Sequence, residues 1–335
     1  MERAQLLYAK AIIIDATCPL ASRGKYLDRW IAGGVTAIAP TVEAFGGIES
    51  AMRNLGRWLR LVREDAGRLV LVQRAGDILE AKQTGRLGII LHFQGTEPLG
   101  DDLDLVEGYH RLGVRMIQLT YNRRNRVGDG CEERTDTGLS HFGIRLIQEL
   151  NRAGIVVDLS HTGYRTTMEA MEVSTAPVVF SHSNARAVCP SARNLTDDQI
   201  KAVATKGGVI GVNGFPAFVA RTERPTLAQF IAHIDYIADL VGPRHVGLGL
   251  DYYEGMAGIA SPEAARAMYT ERVESGVWSP ESYPPPPWHY PEGLEDPSGF
   301  PRLAEALLAR GYHEEDVEGI LGGNFLRVFR QVWGS

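Results

Sequence analysis

Two short apolar runs in this chain of 335 residues end in the same dipeptide: VVDLSH closes on His161 and VVFSH on His182. A third run, VGLGLD, closes on Asp251. Neutral imidazole is a good ligand for zinc and related divalent ions, and a nearby carboxylate can ligate or carry a proton. Two histidines and an aspartate brought together would make a metal-assisted or proton-transferring site. Each could equally be an ordinary hydrogen-bonded strand end. Other polar residues ending apolar runs are Asp15 with Thr17, Thr41, His92 with Gln94, Tyr121 with Asn122, and Asn213.

These side chains act together only if the fold sets them at one level. Nine short, β-branched apolar runs recur, at residues 11–15, 35–39, 69–73, 88–93, 114–120, 155–159, 178–181, 209–213 and 246–251. Such runs read as strands buried on both faces of a parallel sheet. Amphipathic stretches at 49–64, 139–153, 164–174, 196–205 and 226–240 read as helices between them, which is the alternation of βαβ units. The expected fold is an α/β (β/α)8 TIM barrel, one domain over 1–335. Active sites of this architecture lie at the carboxyl ends of the strands, where the residues above fall. Run 69–73 is one strand too many and lies close to the next, so it is expected outside the barrel. Residues 252–299 break the rhythm with SPESYPPPPWHYPEGLEDPSG. Proline at that density excludes regular structure, and the segment reads as an insertion or a lid. Two closing helices are expected within 300–335, at Phe300–Arg310 and Glu314–Trp333.

Charge and motif content narrow the functions. A net charge of −6, from 41 acids against 35 bases, gives no reason to expect a nucleic-acid or membrane partner. Neither of the glycine-rich nucleotide-binding motifs is present. Cys18, Cys131 and Cys189 are too few and scattered for a disulfide framework. With no apolar run of membrane-spanning length and no signal-peptide core, a cytoplasmic location is expected.

Longer stretches carry a family likeness. DLSH followed by FSHSNARAVCPSARNLTDDQIKAVATKGGVIGVN closely resembles the membrane (renal) dipeptidase family of zinc hydrolases, within the amidohydrolase superfamily. LGVRMIQLTYN, GLSHFGIRLIQELNRAGIVVDLSH, GLGLDYYEG and GILGGNFLRVF agree with it. The resemblance implies a (β/α)8 barrel of the metal-dependent-hydrolase type, a homodimer, and hydrolysis of dipeptides or related small amides, usually with two zinc ions. Carried over residue by residue, it makes His161 and His182 zinc ligands, Arg193 the grip on the substrate carboxylate, and Asp251 the proton carrier.

Other family positions are changed. Thr17 and Pro19 stand where the first strand's histidine and aspartate ligands belong, Gln94 replaces the bridging glutamate, and Tyr121 replaces the histidine beside the scissile group. Two dications would bring four positive charges to a site keeping one carboxylate, and uncompensated buried charge costs several kcal/mol, even after relaxation. The expectation is a divergent member with at most one zinc per chain, on His161 and His182 with Gln94 as a weak third donor, or with none. Cys18, on the opposite strand face from Thr17, reads as structural, and His92, deeper than Gln94, as packed and hydrogen-bonded. Three functions remain open: a one-metal hydrolase acting on a small carboxylate-bearing amide, with Tyr121 assisting; an enzyme moving a proton on an amino-acid-like or betaine-like carboxylate; and a catalytically dead binding protein.

Overall fold

The computed structural model describes residues 2–334. Its strands, all parallel, are β1 (Ile14–Cys18), β2 (Ala37–Glu43), β3 (Leu69–Leu71), β4 (Leu87–Ile89), β5 (Leu91–Phe93), β6 (Val114–Gln118), β7 (Val156–Asp158), β8 (Val179–Phe180), β9 (Val209–Val212) and β10 (Val246–Leu248). β4 and β5 are halves of one barrel strand interrupted at Ile90. The second half pairs with β6, while the first carries β3 on its outer side. So β3 is the surplus strand, and the remaining path β1-β2-β5-β6-β7-β8-β9-β10 is the eight-stranded barrel. The seam between its ends is tied by the chain itself. Asp15 Oδ1 accepts from Leu250 N at 2.9 Å, and Thr17 O accepts from Asp251 N at 3.1 Å.

Residues alternate along each strand, and one face lines the interior. Ile90, Met116, Val156, Val179 and Val209 fill the lower barrel with Phe325 and Phe329 of the last helix. Two residues further up those strands the same face turns polar, with His92, Gln118, Asp158 and Ser181, all fully buried. The apolar floor thus carries a polar storey, and the candidate site stands on it.

The helices follow the local sequence signals. Thr196 and Thr226 close capping boxes with Gln199 and Gln229, satisfying helix-end N–H groups. Three expectations need correcting. β1 begins three residues later than the apolar run at 11–15, because the pairing with β2 runs up through Thr17 to Cys18. A helix, Pro262–Glu274, forms inside 252–299. Ser261 caps it and Pro262 sits in the first turn, where a missing N–H costs nothing. The final helical stretch is interrupted at Gly319–Gly323, between Glu314–Glu318 and Asn324–Trp333.

Candidate active site at the carboxyl end of the barrel

His161 and His182, at the ends of adjacent strands, point at one another, Nε2 to Nε2 at 2.8 Å. Their neighbours set the tautomers. His161 Nδ1 lies 2.6 Å from Asn122 Oδ1, which can only accept, so Nδ1 carries the proton. His182 Nδ1 faces Ser181 Oγ at 2.7 Å and Thr17 Oγ1 at 3.2 Å. Both hydroxyl protons are already given away, Ser181's to Asp158 Oδ2 at 2.5 Å and Thr17's to Ala16 O at 2.7 Å. His182 Nδ1 must therefore donate too. Each Nε2 is left as a lone pair facing the other. Burial, then the nearby Arg193 charge, pushes both imidazoles well below their usual range, which disfavours a bridging proton. Two converging imine lone pairs with no proton between them fit a metal cation.

The storey beneath holds His182 in place. Burial alone would raise the Asp158 carboxyl, but His92, His182 and the Ser181 hydroxyl hold it well below the usual carboxylate range. Its Oδ1 also takes the N–H groups of Ser160 and Ser181, at 3.0 and 2.9 Å. His92 is packed there as expected, 3.2 Å from Asp158 Oδ2. However, neither of its ring nitrogens has a well-aligned hydrogen-bond partner, because it meets the carboxylate off-axis.

The remaining residues surround the pair. Gln94 has its Oε1 on the Thr41 hydroxyl at 2.7 Å and turns Nε2 toward His182 Nε2 at 3.5 Å, so its donor and not its acceptor faces the imidazoles. Pro19 offers no ligand atom and forms a wall of the cavity above. Among the described residues, no group of three or more histidine, cysteine, aspartate or glutamate side chains is placed to hold an ion. Cys18 is fully buried on the other face of β1. Tyr121 stacks on His161, ring centroids 3.9 Å apart, and its hydroxyl accepts from Trp278 Nε1 at 3.3 Å. Asp251 Oδ2 accepts from Asn213 at 3.3 Å. Burial, helped by Asp15 and opposed by Arg193 and Asn213, pushes its carboxyl up to about 7.

Arg193 is almost wholly buried and has no carboxylate partner among the described residues. Its Nε donates to the Tyr283 hydroxyl at 3.1 Å, Nη2 to His182 O at 3.4 Å, and its guanidinium lies over Phe218, 5.2 Å from the ring centroid. The proline-rich segment therefore reaches the site. Tyr283 stacks on Trp278 at 4.5 Å, and Asn122 Nδ2, whose Oδ1 holds His161, donates to Val277 O at 3.0 Å. Strain concentrates here: among the described residues, three of the four non-glycine residues with positive φ are Asn122 (58°), His161 (64°) and Asp251 (56°), a conformation kept only where surrounding contacts over-determine it. A cavity of about 640 Å³ opens above, lined by Pro19, Thr41, Gln94, Tyr121, Tyr253 and Arg272, among others.

Sequence reasoning missed the support residues. Asp158 was discoverable as the one charged residue in VVDLSH. Ser181 is ambiguous beside a histidine, and nothing local marks Trp278 or Tyr283.

Comparison with known proteins places this chain in a family. The sequence model of the membrane dipeptidase family, peptidase family M19, matches residues 31–278 and 288–333. The chain belongs to that family. It is 34% identical over 252 residues to a dipeptidase of Aspergillus oryzae, aclJ, covering 74% of this chain and 52% of the relative. It is 32% identical over 285 residues to an uncharacterized protein in the pqqA 5' region of Klebsiella pneumoniae, covering 82% and 93%. The chain thus spans about half the length of the Aspergillus relative and nearly all of the Klebsiella one. Among solved structures, an amidohydrolase from Pseudomonas aeruginosa superposes with a TM-score of 0.87 at 31% identity over 99% of both chains. A metallo peptidase from Rhodobacter sphaeroides, solved with a phosphinate mimic of L-Ala-D-Ala, shares the fold at a TM-score of 0.79, with 23% identity over 97% of this chain and 100% of that one.

Proposed function

We propose that this chain hydrolyses small amides bearing a carboxylate, with a single divalent ion, zinc by family resemblance, held by His161 and His182. The observation that carries the reading is the 2.8 Å convergence of two imidazole lone pairs whose tautomers are fixed from outside. Gln94 is the weakest of the possible further donors, since Thr41 holds its oxygen, so water completes the ligand set. A zinc ion there would polarise an amide carbonyl and bring the pKa of bound water to about 7.

The protein's own groups supply the rest. Asp251, pushed up to about 7, can both take and return a proton near neutrality, which suits transfer to a leaving amine. Tyr121 keeps a free hydroxyl proton at the cavity for the developing oxyanion. Arg193 contributes a fixed buried positive charge. Proton transfer without a metal is the second reading, favoured by Asp251 and Tyr121 standing in place beside only two metal-type ligands. The homodimer implied by the resemblance belongs to the proposal.

The test is amine release from a panel of dipeptides and N-acyl amino acids by zinc-loaded protein. We expect turnover that chelation abolishes and that Asp251→Asn lowers by about 10²-fold or more. Turnover indifferent to chelation would favour the second reading, and no release from any member of the panel would overturn the hydrolase.

A further inference from the structure

The segment over the site also decides which cation faces the cavity. Tyr283 lies within 279–287, where the match to the family is interrupted. Its hydroxyl occupies Arg193 Nε. Arg193 lines, with His161, a separate cavity of about 150 Å³. Neither Arg193 nor His161, His182 or Asp251 lines the 640 Å³ cavity, which adjoins the histidine pair through Gln94 and Tyr121. A carboxylate entering that cavity meets a different arginine.

Arg272, on the helix Pro262–Glu274, lines the cavity and is half-buried. Its guanidinium sits 4.9 Å from the Phe45 ring centroid and touches the Tyr253 hydroxyl. Its Nε is buried without a hydrogen-bond partner, and among the described residues no carboxylate pairs with it. The other wall arginines are committed or solvated: Arg53 pairs with Glu49, Arg57 donates to Asn54, and Arg23 is exposed. Three acids share the wall. Glu43 is saturated by the N–H groups of Ala44, Phe45 and Gly46 and by Ser50 and Asn54. Glu254 is half-buried and Glu271 exposed. A guanidinium stacked by its face on an aromatic ring keeps its edge donors for a planar oxyanion. Phe45 meets Tyr121 edge-on at 4.8 Å, and Tyr121 stacks on His161. Two aromatic rings thus separate Arg272 from the histidine pair.

We propose that Arg272 binds the substrate carboxylate in this chain, so that its substrates are small amides whose carboxylate lies well away from the scissile bond, as in acidic or extended dipeptides. The amide part rests on the hydrolase reading above, but the carboxylate subsite does not.

Calorimetric titration of the full-length chain with glutarate tests it. Wild type should bind, and Arg272→Gln should weaken binding by about tenfold or more, the loss expected for one charge-assisted bidentate pair. Arg272→Lys, which keeps charge and stem, should weaken it several-fold and serves if the glutamine variant does not fold. Tyr283→Phe should leave affinity within about twofold. No binding by wild type, unchanged affinity in a folded Arg272 variant, or tighter binding in Tyr283→Phe would overturn the proposal, the last by returning the carboxylate to Arg193. Arg272-dependent glutarate binding with no amide turnover would sink the hydrolase reading and leave the subsite standing.

Discussion

At the residue scale, the paired histidines are held by groups that do not themselves face the space between them. Ser181 gives its proton to Asp158 and so obliges His182 Nδ1 to donate, turning Nε2 outward as a lone pair. Partners of this kind typically change metal affinity by about 10–100-fold. Ser181→Ala should therefore weaken zinc binding by about tenfold or more while the protein stays folded, as read by competition with a chromogenic chelator. Unchanged affinity would mean that the serine does not set the tautomer. Asp251 gives a prediction of opposite kind. Its folded pKa, about 7, lies above its unfolded value of 3.8. The stability it contributes is full below pH 3.8 and is lost as pH rises through 7. In chelator-treated protein, Asp251→Asn should therefore gain stability over wild type at pH 8 relative to pH 5, by on the order of a few kcal/mol in denaturant unfolding. An equal difference at both pH values would contradict the assignment. The placing of His161, His182 and Asp251 at neighbouring strand ends was legible because each closes an apolar run. Tyr283's hold on Arg193 was not, since 90 residues separate the two along the chain.

At the element scale, alternation of apolar runs with amphipathic stretches was enough to give the barrel and to single out 69–73 as surplus. It gave strand ends less well, because the pairing of β1 and β2 runs on into polar residues that hydrophobicity cannot mark. Proline density likewise hid the helix Pro262–Glu274, which lies ahead of the proline run itself. The barrel rim is also tighter than the sequence suggests. A Cβ on Gly249 would lie 1.8 Å from Ser181 O and 3.3 Å from His182 Cβ. Backbone must therefore move directly beneath His182. Gly249→Ala should cost about 1–3 kcal/mol, as overpacking does, and should lower zinc affinity as well. A variant with wild-type denaturation midpoint and zinc affinity would show that the rim has slack.

At the scale of the whole molecule, the proposal of a single metal sets this chain apart from the two zinc ions that the family resemblance implies. It rests on Thr17, Pro19 and Gln94 standing where that resemblance would put ligands, beside His161, His182 and Asp251. No helix among the described residues is long and apolar enough to cross a membrane. A homodimer would appear as twice the chain mass in sedimentation equilibrium at micromolar protein, and a monomer there would remove it from the proposal. A ligand that binds only the folded chain stabilises it, by about 2.7 kcal/mol at a hundred times its dissociation constant, so zinc should raise the unfolding temperature and chelation should lower it. The most direct measurement is metal content per chain, by elemental analysis of protein purified without added metal and again after zinc soaking and desalting. One zinc per chain, lost in His161→Ala and in His182→Ala, is the predicted result. Two ions per chain, or none after soaking, would contradict a single metal on the paired histidines.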